Sequence, residues 1–404
     1  TQFVLIVVLL LIIHLGLQRV KHWWNLEKKK NISHYVETVF HNKNNLEFSN
    51  ETILHIDLNK LEHNFNYLKS KLKKNTKIIG VVKAFAYGHG DIEISRKLEK
   101  LGAYALWVSD FEEGISLRKA GIKSKIIVAN PGLKSYEEII KYSLDIVIYN
   151  QRLLDLYASK KNEINIHIKF NSGMNRYGFE AQETANIVEK IKTNYHLKLL
   201  SICSHLAASD KEEKSEFTIN QIAKFKTISK NFELLYGAKI DKHILNSNGV
   251  LNFANHQMDV VRLGIGLYGS STDKNLKQIS QLSSVVTQIR DVVKGESVGY
   301  GPSFVAPENM KIAIIPIGYA DGLNRKFSSI GSVYINKKEC KIIGNISMDS
   351  FAVNTSNITI HEGETVEIFG NNLSVNEIAK KINTIPYEIY STLNRRIKRV
   401  YSDS

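Results

Sequence analysis

Cysteine is scarce in this chain of 404 residues, and its two thiols, Cys203 and Cys340, cannot build a disulfide framework. No CxxC or HExxH pattern offers a metal site. Proline is also scarce, at five residues, and no short period repeats. Collagen-like, solenoid and low-complexity architectures are thereby excluded. No RRM, zinc-finger or helix-turn-helix signature is present, so nucleic acid is not an expected partner. What the chain does have is basic charge. Its 54 Lys and Arg stand against 40 Asp and Glu, a formal net charge of +14, which favours anionic ligands or surfaces. Many of these lysines lie beside Asn and Ile, and the excess reads mainly as a composition bias.

Long apolar runs are confined to the N-terminus. Residues 3–13 (FVLIVVLLLII) are followed by His14 and LGL, short of the roughly 18 residues of a membrane span. Arg19, Lys21, Trp23, Trp24 and Lys28 to Lys30 then form a flank suited to the cytoplasmic face of a membrane. No basic residue precedes the run and no A-x-A site follows it, which disfavours a secretory signal. Residues 1–50 read as an anchor through 3–17, as an appendage, or as part of a longer chain. These readings stay open, and the expected location is cytoplasmic, with a tether at the inner membrane face under the first of them.

From residue 51 onward, short β-branched runs end in polar residues and alternate with stretches of helical spacing. The runs are 78–83, 104–110, 125–130, 145–150, 164–171, 199–205, 243–248 and 260–265. Segments such as EISRKLEKLG and EEGISLRKAG lie between them. Eight strands alternating with helices point to an α/β fold, a closed (β/α)8 barrel of the TIM type over 51–277. An open doubly wound sheet is the rival, but it would need a Gly-rich first turn that this chain lacks. Beyond about 278 strands follow one another through Gly- and Asn-containing turns, predicting a mainly-β domain over 278–404. It closes with a helical stretch, VNEIAKKIN, and a basic tail. Barrels of this type carry their chemistry at the C-terminal strand ends. Here those ends hold Lys83, Asp110, Asn130, Asn150, Lys169, His205, Ser247 and Arg262.

Lys83 stands out because it ends an otherwise apolar strand. Burial lowers the pKa of an ammonium and makes it a nucleophile; alternatively the strand ends early and Lys83 is solvated. Spacing alone leaves both readings standing. The whole string VVKAFAYGHG (81–90), however, closely resembles the pyridoxal-phosphate attachment motif of alanine racemases. Further segments follow in the family's order over roughly 52–401: HIKFNSGMNRYGF (167–179), SHLAASD (204–210), NSN (246–248), VRLGIGLYG (261–269), VGYG (298–301), GYADG (318–322), ISMD (346–349) and PYEI (386–389).

The resemblance implies a racemase acting on alanine with pyridoxal 5'-phosphate as cofactor. Lys83 would hold the cofactor covalently and act as one base. Tyr300, supplied by the second subunit of a homodimer, would be the other, since racemisation removes a proton on one face and returns one on the opposite face. Arg262 would face the pyridine nitrogen, with His205 supporting it. Tyr87, Ser247, Tyr387 and the amides of Gly264 and Ile265 would take the phosphate. Arg176 would reach the substrate carboxylate and the cofactor's phenolic oxygen, next to Lys169, which is carbamylated in many relatives. Met348 would contact substrate from the partner, Asp349 would follow it, and Tyr319 would line the entrance. Phe85 departs from the family's usual Asn or Asp, and Asn171 and Ser172 replace its usual Asp-Thr pair. Other readings are a serine racemase, a fold-related decarboxylase lacking a matched cysteine here, and a non-catalytic cofactor carrier, which would have no second domain.

Overall fold

The computed structural model describes residues 51–271 and 273–403; the N-terminal segment, with its apolar run, lies outside the described residues. Among the described residues no helix is long and apolar enough to cross a membrane. Eight parallel strands form the first sheet. In chain order they are Lys77–Val81, Ala105–Val108, Lys125–Val128, Asp145–Ile148, Ile164–Lys169, Leu197–Cys203, Asp241–His243 and Val260–Leu263. The last pairs in parallel with the first. The Arg262 N–H donating to the Leu245 carbonyl at 3.0 Å links the seventh and eighth runs. Central strands such as Asp145–Ile148 are buried along their whole length, because one face looks into the barrel and the other onto the helices.

The strand ends fall short of the sequence expectation, and the reason lies in the caps. Asp110 and Asn150, read as strand ends, are helix N-caps. Their side chains accept the N–H groups of Glu113 and Leu153, removing orphan donors from the following helices. The seventh strand ends at His243 rather than at 248. Asn246 caps the helix Ser247–Asn252 by accepting the Gly249 N–H at 2.8 Å, so Ser247 opens a helix instead of closing a strand.

A second, nine-stranded sheet follows the barrel. Its membership corrects the sequence reading at both ends of the chain. Ile53–Asp57, assigned above to the barrel, pairs antiparallel with Ser280–Val285 and parallel with Lys398–Ser402. The terminal basic stretch is therefore a strand and not a tail. Asp57 then caps the helix Leu58–Ser70. From that helix Asn64 donates to the carbonyls of Leu267 and Lys277, fastening it to the chain that leaves the eighth barrel strand. Besides the expected helix at Val375–Lys381, a second one, Pro386–Ser391, starts on a proline at its first turn. It brings Tyr387 to the barrel mouth.

Candidate active site

Lys83 begins a tight turn. Ala84, Phe85, Ala86 and Tyr87 all have φ between 50° and 56°, a left-handed helical turn that L-residues avoid at a cost of roughly 1–2 kcal/mol each. Four such residues in a row persist only where the surroundings hold them. Glu113 does so from the neighbouring helix, accepting the Ala84 N–H at 2.6 Å on one carboxylate oxygen and the Ser109 N–H at 2.7 Å on the other. At the far end Gly88, φ 80°, sits so close to the Tyr390 carbonyl that any Cβ would collide with it, and Arg399 donates to its carbonyl. Two guanidinium groups, Arg395 and Arg399, lie over the Phe85 ring at 4.6 and 5.3 Å. The residue that departs from the family pattern is thus a cation platform on the outside of the turn.

The turn aims Lys83 at a cavity of about 590 Å³ at the C-terminal ends of the barrel strands. Lys169, Arg176 and Arg262 line the same cavity. Burial, reinforced by Arg176 and Arg262 and opposed by Glu113, lowers the Lys83 ammonium from its ordinary range. Lys169 is brought down to about 8 by burial, with the charges of Arg262, Arg176 and Lys83 adding to the effect. His205 falls well below the usual imidazole value, through burial and then Arg262, and is neutral. The cavity is therefore a desolvated, cation-lined hollow, suited to an anion that would restore charge balance.

Arg262 is 5% exposed and fully engaged on its inner edge. It donates to the Ser204 carbonyl at 2.6 Å, to His205 Nδ1 at 3.0 Å and to His243 Nδ1, while Trp107 packs on its face at 5.4 Å. Beside it, the Gly264 and Gly266 amides donate to Ser247 Oγ at 2.8 and 3.1 Å. The Tyr87 and Tyr387 rings lie 5.9 Å apart over the same floor. Burial pushes Tyr387 up to about 12 and Tyr87 higher still, so both phenols stay protonated as donors. A Cβ at Gly264 would stand 2.6 Å from the Tyr87 hydroxyl. Glycine is what permits this close approach.

The structure thus gathers Lys83, Tyr87, Lys169, Arg176, His205 and Ser247 in one cavity, with Arg262, Gly264, Ile265 and Tyr387. Four expected residues are elsewhere. Tyr300 is 75% exposed in the turn of a separate two-stranded ribbon, Ser297–Val298 with Phe304–Val305, and Met348, Tyr319 and Asp349 are exposed on connections of the second sheet. These loops lie together. The Tyr300 carbonyl accepts from Asn345 Nδ2, and the Ala320 N–H donates to the Met348 carbonyl. Arg396 ties Asp321 and Asp349 at 2.6 Å each. None of the four lines the cavity of its own chain. Sequence reasoning passed over Glu113, Trp107 and His243. His243 stood inside a quoted strand, but nothing in its spacing linked it to Arg262.

A barrel enzyme that works through a lysine on a phosphate-bearing ligand needs a poorly solvated ammonium close to neutral hydrogen-bond donors. Both line this cavity, and the chain is of that class. It belongs to the alanine racemase family, whose N-terminal domain matches residues 56–272 and whose C-terminal domain matches 279–401, and its activity is the interconversion of L- and D-alanine. It is 36% identical over 360 residues to an alanine racemase of Fusobacterium nucleatum, covering 85% of this chain and 98% of the relative. The solved alanine racemase of Clostridium difficile 630 superposes with a TM-score of 0.82 at 30% identity, over 88% of this chain and 97% of that one. The alanine racemase of Bartonella henselae, with covalently bound pyridoxal phosphate, gives 0.80 at 28% identity, over 87% of this chain and the whole of that one.

Proposed function

We propose that the chain racemises alanine with pyridoxal 5'-phosphate held at Lys83, using Lys83 as the base on one face and Tyr300 of a second copy on the other. The observation that carries this is the placement of Lys83, desolvated at the cavity mouth, beside the Ser247, Gly264, Tyr87 and Tyr387 cradle. Those residues fit a phosphate. Two protonated phenols and a serine hydroxyl, its oxygen held by the Gly264 and Gly266 amides, present neutral donors beside a backbone unencumbered by a Cβ, while Arg262 supplies a fixed cation deeper in. The relative with covalently bound cofactor supports the same group here.

Pyridoxal phosphate, when bound, supplies an electron sink for the Cα–H bond. The chain's own residues do the rest. Burial, with Arg176 and Arg262, lowers the Lys83 ammonium and so makes Nζ readier to release its proton. Tyr300 Oη, free of the cavity of its own chain, is available to a second copy as the opposite base. Arg176 binds the substrate carboxylate, and carbamylation of Lys169 beside it would relieve the crowding of cations that, added to burial, brings its pKa down to about 8. Arg262 stays cationic in its cage and would hold the cofactor at its ring nitrogen. His205 steadies it. The Arg396 bridge holds the loops that present Tyr319 at the entrance, the Met348 backbone toward substrate and Asp349 behind it. The working unit is thus a homodimer with shared sites. The location we assign is cytoplasmic, with residues 3–17 and their basic, aromatic flank as a tether at the inner membrane face where they serve as an anchor rather than as an appendage or part of a longer chain.

The test is incubation with L-alanine in heavy water, with Lys83→Ala as the blank. D-alanine carrying deuterium at Cα is the expected product, absent in the blank. Exchange without inversion would overturn the two-base reading, and serine turned over faster than alanine would overturn the substrate.

A further inference from the structure

Below the cavity, Arg262 and four polar side chains that the reaction does not touch line up through the barrel interior. Each comes from a different strand, and the strands are consecutive: Asp145, His167, Ser201, His243 and Arg262, from the fourth to the eighth. All are buried, at 5%, 2%, 3%, 0% and 5% exposure. So much buried polarity is costly unless every donor meets an acceptor.

The donors are assigned from the guanidinium downward, because arginine only donates. Arg262 Nη1 donates to His243 Nδ1, so that nitrogen carries the lone pair. Burial, and then Arg262 itself, keeps His243 neutral, and its proton is therefore on Nε2. That Nε2–H meets Ser201 Oγ at 2.9 Å. Having accepted there, Ser201 turns its own proton to His167 Nδ1 at 2.7 Å. His167 is left with its proton on Nε2, facing Asp145 Oδ2 at 3.9 Å. That separation is ion-pair contact beyond hydrogen-bond reach, and neither atom has a hydrogen-bond partner; Asn165 donates to the other carboxylate oxygen at 2.9 Å. The chain has one direction, with a carboxylate at the bottom and a guanidinium at the top.

We propose that Asp145, His167, Ser201 and His243 are positioning residues that set the proton order beneath Arg262, holding it in register with the cavity. Were His243 to carry its proton on Nδ1, two N–H groups would face each other and Arg262 would have to rotate from its cage. The carboxylate forbids this from a distance by orienting His167, hence Ser201, hence His243. The functional consequence rests on the reading that Arg262 faces the cofactor ring.

The experiment uses the full chain labelled with 15N-histidine and loaded with pyridoxal phosphate, its signals assigned through His243→Asn and His167→Asn. Both rings should appear neutral with the proton on Nε2; an Nδ1–H tautomer or an imidazolium at either position in the wild-type chain would overturn the proposal. Ser201→Ala should make His243 a mixture of tautomers, move the absorption band of the bound cofactor and lower kcat about ten-fold with KM nearly unchanged. Ser201→Thr, which keeps the hydroxyl, should restore all three. A Ser201→Ala enzyme with wild-type tautomer, spectrum and kcat would also overturn it. The two layers separate cleanly. An Arg262→Lys enzyme with an unmoved cofactor spectrum would remove the reading of Arg262, while the tautomer order would still be judged on its own.

Discussion

Replacing Gly264 by alanine tests the phosphate cradle where its geometry is tightest. The added Cβ would lie 2.6 Å from the Tyr87 hydroxyl, while ordinary contact begins near 3.4 Å. The phenol must therefore withdraw by about 0.8 Å. It cannot do so along a free path, because its ring is buried and packed against Tyr268 at 4.7 Å and Tyr387 at 5.9 Å. Its hydrogen bond to the phosphate is then stretched beyond use. A hydrogen bond to a charged group contributes roughly 1.5–3 kcal/mol, so cofactor affinity should fall roughly 10- to 150-fold. Fluorescence titration of the cofactor-free enzyme with pyridoxal phosphate measures this directly. The control is a double-mutant cycle. Tyr87→Phe alone should cost a similar factor, and adding Gly264→Ala to it should cost little more, because the hydroxyl that clashed is gone. Affinity of Gly264→Ala within two-fold of wild type, or full additivity in the cycle, would refute the argument that Tyr87 and residue 264 share one phosphate oxygen's surroundings.

Other perturbations reach separate parts of the site. Tyr300→Phe should keep bound cofactor and lose racemisation by about 10²–10⁴-fold. Mixed and reassociated with Lys83→Ala, it should recover about a quarter of wild-type activity, because half the dimers are mixed and one site in each is intact; no recovery would sink the shared site. Lys169, lowered from 10.5 to about 8, has released a proton in the folded protein that the unfolded chain still holds between those values, so stability rises with pH across that window. In cofactor-free protein Lys169→Met should raise Tm at neutral pH, lifting a penalty on the order of 3 kcal/mol. The gain should shrink toward zero as pH approaches 10.5, and a pH-independent gain in thermal melts would contradict this. Asn246→Ala removes the cap that accepts from Gly249 and Ser209. It should cost about 1 kcal/mol in denaturant unfolding and weaken cofactor binding by misplacing Ser247.

The barrel strands were legible because parallel strands buried on both faces are short apolar runs bounded by helices, a local signal. Some cavity residues were legible for the same reason, as Lys83 follows Val82 and Arg262 interrupts Val260–Leu263, while Tyr87, Arg176 and Tyr387 stood out only through the resemblance of the motifs around them. What misled the strand-end reading was also local. Asp110 and Asn150 suit a catalytic rim and a helix cap equally well, and only the position of the next helix tells them apart. Glu113 lay in plain view within a helical stretch. Its task, holding a left-handed turn 29 residues away in sequence, depends on a contact that no periodicity encodes.

Local chemistry in the sequence was enough to decide the order of elements, the break near 278 and the lysine that the site is built around, since periodicity, caps and motif strings act over a few residues. Tertiary structure alone decided the rest. Ile53–Asp57 joins the sheet of the far domain because its partners, Ser280–Val285 and Lys398–Ser402, are more than two hundred residues away. Five polar residues from consecutive strands become one oriented chain only when the barrel closes and denies them water. Tyr300 stands on the surface of its own chain in the turn of a two-stranded ribbon, its carbonyl held by Asn345 Nδ2. In each case the deciding term is a long-range contact, and residue spacing carries no record of it.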